Sequence, residues 1–131
     1  MLLVVPARPE VPAEYVARLR GILDRFPRCE LEDAWVGVRW RVGGTTATVA
    51  HVFGGEDQLF RVTFRAEPEE VMAFQHLGSP HFKTDWGGNV VGLLLDDDTD
   101  WGELAELLTD SYCLQAPQRL ADQVSRPSGS V

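Results

Sequence analysis

The chain has 131 residues, is 44% hydrophobic and carries a formal charge of −8 with a pI near 4.7, which leaves room for one buried core and none for a second domain. That charge opposes loose attraction to nucleic acid or to an anionic membrane and argues against a general DNA-coating role. All of the twelve basic residues but Lys83 are arginine, so planar two-point contact to carboxylate or phosphate is available wherever arginines cluster.

Met1 to Pro6 is apolar but much shorter than the apolar region of a secretory signal. No apolar run approaches the roughly 20 residues of a membrane span. The expectation is a cytoplasmic protein with no membrane partner, in which Cys29 and Cys113 are free thiols. After Pro6, Pro9 and Pro12, the segment Ala13 to Phe26 places Val16, Leu19, Ile22, Leu23 and Phe26 at helical spacing, and Pro27 closes it.

Two strands follow, at about Ala34 to Val42 and Thr45 to Phe53. With Gly43-Gly44 as a two-residue turn, Arg41 pairs with Thr46, Trp40 with Ala47, Arg39 with Thr48 and Val38 with Val49. Val38, Trp40, Ala47, Val49 and, by continued alternation, His51 then face inward, while Arg39 and Arg41 face out. Gly54-Gly55-Glu56-Asp57 turns the chain into Leu59 to Arg65, where Phe60, Val62 and Phe64 alternate with Arg61, Thr63 and Arg65. Arg39, Arg41, Arg61 and Arg65 are therefore expected on one face of an antiparallel meander, as a candidate surface for an anionic or protein partner.

A second helix begins at Pro68, with Glu67, Glu69 and Glu70 at its positive end and Val71, Met72, Phe74 and Leu77 as its apolar stripe, and ends near Gly78. A short strand at His81 to Lys83 and an apolar strand Val90 to Leu95 flank a Trp86-Gly87-Gly88 turn. His81, Phe82 and Trp86 are the residues that could line a pocket at this sheet edge. Asp100 with Glu103 caps a third helix running toward Cys113, and a helical turn after Pro117 packs through Leu120 and Val124. Residues 1–124 read as one domain and 125–131, rich in Ser, Pro and Gly, as a flexible tail. The fold class is a two-layer α+β arrangement, order α-β-β-β-α-β-β-α, with helices on one face of an antiparallel sheet.

Motifs for chemistry are missing. His51, His76 and His81 fall in no zinc spacing. The Asp96-Asp97-Asp98 run with Asp100 lacks the glycine and distal glutamate of a calcium loop and reads as a solvated turn with a cap. The glycine doublets form no phosphate loop, and Ser79, Ser111 and Cys29 have no nucleophile context. No catalytic residue, metal or cofactor is assigned.

Arg39-Trp40-Arg41-Val42-Gly43-Gly44 with the strand after it, Ser79-Pro80-His81-Phe82 with Trp86, and Leu107-Leu108-Thr109-Asp110-Ser111-Tyr112 leading to Ala116-Pro117-Gln118-Arg119-Leu120 together resemble the MmcQ/YjbR-like family of small bacterial proteins, over roughly residues 13 to 122. The resemblance implies a fold similar to secretion chaperones and frataxin-like proteins, and a DNA-binding label. Where relatives tend to carry a lysine after the hairpin turn this chain has Thr45, and where their closing run tends to read Pro-Lys-Arg it has Gln118 before Arg119; both departures remove positive charge. The expectation is a non-enzymatic interaction module, monomeric or homodimeric, that holds a protein or anionic partner on its arginine face. DNA binding is the first alternative, opposed by charge, and a small-ligand binder or enzyme with a pocket near His81 and Trp86 is the second.

Overall fold

The computed structural model describes residues 8–124. Its elements run α1 (Ala13–Leu23), β1 (Cys29–Asp33), β2 (Val38–Val42), β3 (Thr48–Gly54), β4 (Phe60–Arg65), α2 (Pro68–Leu77), β5 (His81–Lys83), β6 (Val90–Leu95), α3 (Trp101–Gln115) and α4 (Gln118–Ala121). All six strands join one antiparallel sheet in the order β1-β2-β3-β4-β6-β5. The helices cover one face of it, giving the two-layer α+β architecture. The one strand beyond the expected order is β1, whose acidic Glu30, Glu32 and Asp33 give weak strand preference. The expected C-terminal tail, 125–131, lies outside the described residues.

Local chemistry marks several of the helix boundaries. α1 ends at Leu23, short of Phe26, with Asp24 as its C-cap: the Asp24 N–H donates to Arg20 O, and its carboxylate accepts from Arg20 Nε at 2.8 Å and Trp40 Nε1 at 3.0 Å. Phe26 instead stacks on Tyr112 with ring centroids 4.8 Å apart. α2 opens on Pro68, whose missing N–H is one of the helix's unpaired donors in any case, and ends at Gly78 with φ +72°. At α3, Asp100 Oδ1 accepts from Glu103 N–H at 3.0 Å, as the capping pair predicts.

The core lies between the helices and the sheet face bearing Trp40, Ala50, Val52, Val62, Phe64 and Leu93. Leu19, Leu23, Leu104, Leu108 and Tyr112 meet that face from α1 and α3 and are wholly buried. Each such leucine contributes about 1.5–3 kcal/mol relative to exposure.

The β2–β3 hairpin departs from the expected register. Val38 pairs with Val52, Arg39 with His51 and Trp40 with Ala50, three positions beyond the predicted partners, and the ladder shifts again so that Arg41 meets Thr48. Thr45 closes a longer loop: its N–H and Oγ1 both donate to Val42 O, at 3.1 and 2.8 Å, and its Oγ1 accepts from Ala47 N–H at 3.0 Å. The extra residue in β3 makes a bulge at which Val49 and Ala50 are both buried. Beyond the bulge the alternation is inverted, so His51, expected inward, stands on the face away from the helices.

Candidate functional site

Strand register places a row of residues across the helix-free face of the sheet: Glu32, Arg39, His51, Thr63, Gly92 and Phe82, from β1 to β5. On one side of this row lie Arg41 and Arg65, and on the other Phe53, Arg61 and Leu94. All four predicted arginines thus share the open face. β2 keeps its expected face because Trp40, wholly buried, holds the alternate positions outward.

The guanidiniums differ in their partners. Glu32 Oε1 lies 2.8 Å from both Arg39 Nε and Arg41 Nη2. Arg61 Nη2 is 2.6 Å from Asp57 Oδ2, and its guanidinium sits 5.9 Å from the Phe53 ring centroid. The hydrogen bond from Arg61 holds the Asp57 carboxyl below its usual range. Arg65 Nη1 donates at 3.1 Å to Asn89 Oδ1, a neutral group.

Two loops fold onto this face, and each presents a tryptophan. In the β1–β2 connection Ala34 N–H donates to Gly37 O at 3.0 Å, Gly37 has φ +71°, and its backbone lies against Val52 and Phe53 where no side chain would fit. This turn brings Val36 O to 2.5 Å from His51 Nε2 and leaves Trp35 fully exposed. In the β5–β6 connection, buried Thr84 donates Oγ1–H toward Trp86 O at 2.7 Å and Val90 O at 3.0 Å, and Trp86 is 55% exposed.

Between the loops is a recess of about 380 Å³, with Arg39, His51, Thr63 and Arg65 in its lining and Trp35 and Trp86 at its sides. A second recess of about 440 Å³ lies on the same face, lined by Phe53, Arg61, Phe82, Trp86 and Leu94 among others. Trp86 borders both. His51 donates its Nε2–H to Val36 O, and burial pushes its pKa down, with a further push from the Arg39 charge, against the raising effect of the bond to Val36. The imidazole is therefore a neutral acceptor at neutral pH.

His81 does not join this site. Strand alternation sends it to the helix side, where Nε2 is 3.3 Å from Glu103 Oε2 and the ring meets Phe74 edge-on at 5.1 Å. Phe82 and Trp86 share the second recess, so the predicted trio is split between the two faces of β5. Sequence reasoning placed no role on Trp35, Asn89 or Ser111. Ser111 Oγ, wholly buried on α3, donates to Val49 O at 2.7 Å and accepts from Arg65 N–H at 2.9 Å. It ties the bulge and the Arg65 backbone to the helix layer, a link that spans 62 positions to Val49 and has no local sequence signal.

Among the described residues no three His, Cys, Asp or Glu side chains gather as metal ligands, and no helix is long and apolar enough to cross a membrane. Neither cysteine is in a disulfide, and burial pushes the Cys29 thiol up to about 12, aided by Asp24 and Glu30. Its thiolate is inaccessible at neutral pH. What the open face offers chemically is guanidinium forks, two exposed indoles and a neutral imidazole.

No family model matches the chain, and no curated protein matches it. Among solved structures it is similar to the crystal structure of the Deinococcus radiodurans protein DR2400, which carries a DUF419 domain. The two are 19% identical over 98% of this chain and 99% of that one, with a TM-score of 0.64. At that identity the likeness establishes the α+β fold and leaves activity open.

Proposed function

We propose that this protein is a non-enzymatic, cytoplasmic interaction module that holds an anionic partner on the open face of its sheet. The observation that carries this reading is the placement of Arg39, Arg41, Arg61 and Arg65 on one helix-free face, beside two recesses and two exposed tryptophans. Arginine and tryptophan are the residue types over-represented where partners bind most strongly, and guanidinium forks match carboxylate and phosphate geometry.

Duplex DNA, the label that goes with the MmcQ/YjbR-like resemblance, fits less well. Glu32 and Asp57 already engage three of the four guanidiniums, and the chain as a whole carries −8. An acidic protein segment needs fewer phosphate-like contacts and is the favoured partner.

The test is fluorescence anisotropy of labelled polyglutamate and of labelled duplex DNA at low ionic strength, where attraction between exposed charges is strongest. Polyglutamate is expected to bind, to release as salt rises and to bind less well to the Arg39→Ala/Arg65→Ala protein, with duplex DNA binding more weakly. Failure of both probes to bind at low salt overturns the reading.

A further inference from the structure

We infer that the recess between Trp35 and Trp86 is a binding site for a small aromatic carboxylate, with its ring against Trp86 and its single charge on Arg65. The inference rests on the anion-holding reading of the open face and specifies the ligand class at one corner of it.

Size comes first. A recess of about 380 Å³ lies in the range of small-molecule sites, roughly 300–1,000 Å³, and admits two fused rings bearing a carboxylate. Its lining includes Val49, Phe64 and Val90, none more than 4% exposed, and the Phe64 ring packs on Phe74 in the core, so the aromatic surface open to a ligand ring is that of Trp35 and Trp86.

The indoles come next. Trp40 is wholly buried and Trp101 half-buried, whereas Trp35 and Trp86 are 101% and 55% exposed and border the same recess. An exposed indole offers a π-face for stacking at little conformational cost. The two loops that carry them spring from β2 and β6, three inter-strand gaps apart, about 14 Å at the usual strand spacing, so a small ring stacks on one indole. Trp86 and Arg65 line the same recess, and Gly87, next in sequence to Trp86, approaches the cation: a Cβ on Gly87 would lie 3.9 Å from Arg65 Nη1.

Charge then selects the anion. Glu32 already compensates Arg39 and Arg41, His51 is held neutral by burial, and Arg65 is bonded to the uncharged Asn89 amide oxygen. Arg65 also borders a smaller recess lined by Glu67, Glu69, Glu70 and Asp110, so the charge it can hold is a single carboxylate, gripped through two parallel bonds. A phosphate dianion would bring a second charge toward those carboxylates.

The test uses the full chain, ¹⁵N-labelled, and the indole N–H signals of its four tryptophans, titrated with 2-naphthoate. The Trp86 signal, assigned with Trp86→Phe, is expected to shift saturably while that of Trp40, bonded to Asp24, stays fixed. Arg65→Ala should weaken binding about tenfold, the loss of one charged hydrogen-bond pair, and Arg61→Ala less than about twofold; Arg65→Gln serves if the alanine variant does not fold. 2-Naphthalenemethanol, lacking the charge, and cyclohexanecarboxylate, lacking the π-face, should each bind more weakly than 2-naphthoate. An unmoved Trp86 signal, equal binding of either control, or tighter binding of adenosine monophosphate overturns the inference. If polyglutamate shifts the Arg39 and Arg65 Nε–H signals of the same sample while 2-naphthoate leaves the indoles unmoved, the aromatic carboxylate falls and the anionic face stands. If 2-naphthoate binds equally well without Arg65, and polyglutamate moves neither arginine, both fall.

Discussion

Ser111 shows how a buried hydroxyl positions a surface charge. Its Oγ serves as donor to Val49 O and as acceptor for Arg65 N–H, so Ser111→Ala strands two backbone groups in a dry interior. That substitution should cost about 1–3 kcal/mol, read as a lowered urea midpoint, and should broaden the Arg65 amide signal; an unchanged midpoint would refute the link. His51 makes a different prediction, because burial lowers its folded pKa below that of the free imidazole. At pH values between the two, the unfolded chain binds more protons than the folded one, so stability rises with pH there. The contribution is complete above the unfolded value near 6.5 and is lost as pH falls through the folded one. His51→Gln, which keeps a donor for Val36 O, should therefore gain stability relative to the parent as pH drops from 7.5 to 5.5. Urea midpoints that stay parallel across that range would show that His51 is not desolvated.

At the scale of elements, the parts of the fold that were legible are those governed by neighbours in sequence. The Asp100–Glu103 cap, the Pro68 start, the alternation of β4 and the apolar run of β6 each follow from side chains within a few positions. The β2–β3 register was not legible, because its turn is decided by remote contacts as well as by Gly43-Gly44. Gly43 N–H donates to Arg28 O at 2.7 Å, and Ser111 takes the carbonyl of the bulged Val49. A local pattern cannot anticipate either bond, and a three-residue slip together with a bulge moved His51 to the open face while leaving the arginines of β2 in place. The same distinction holds for His81 and Phe82: adjacency in sequence hides the alternation that separates them. Gly92 tests the cross-strand fit on this face. A Cβ there would lie 2.5 Å from Phe82 Cζ and 2.7 Å from Val62 O. Gly92→Ala should thus displace the Phe82 ring and cost about 1–3 kcal/mol, visible as a lower melting temperature together with shifted Phe82 ring signals. A variant as stable as the parent would mean that the ring is not seated on Gly92.

For the whole molecule, what matters is where the charge of −8 lies. Glu69 and Glu70 on α2, and Glu103, Glu106 and Asp110 on α3, belong to the helix layer, while the open face carries the arginines. The net charge repels anions at long range, and the open face sets four arginines against that repulsion. Glu32 sets how strongly, since one carboxylate oxygen lies 2.8 Å from two guanidiniums. Its side chain is 38% exposed, so solvent screens the pair and the stability it contributes is at most about 1 kcal/mol. Its effect on the field felt by a ligand is larger than its effect on folding, because Glu32→Gln frees two cations at once. Glu32→Gln should therefore shift the melting temperature by only a few degrees while tightening polyglutamate binding several-fold, on the order of the 1.4 kcal/mol that makes a factor of ten. The gain should shrink as salt rises past about 0.15 M, where screening acts over about 8 Å. Equal anisotropy curves for parent and Glu32→Gln at low salt would mean that Arg39 and Arg41 do not contact the anion, and would leave that contact to Arg65 and to Arg61, with Arg8 and Lys83 beside it in the second recess.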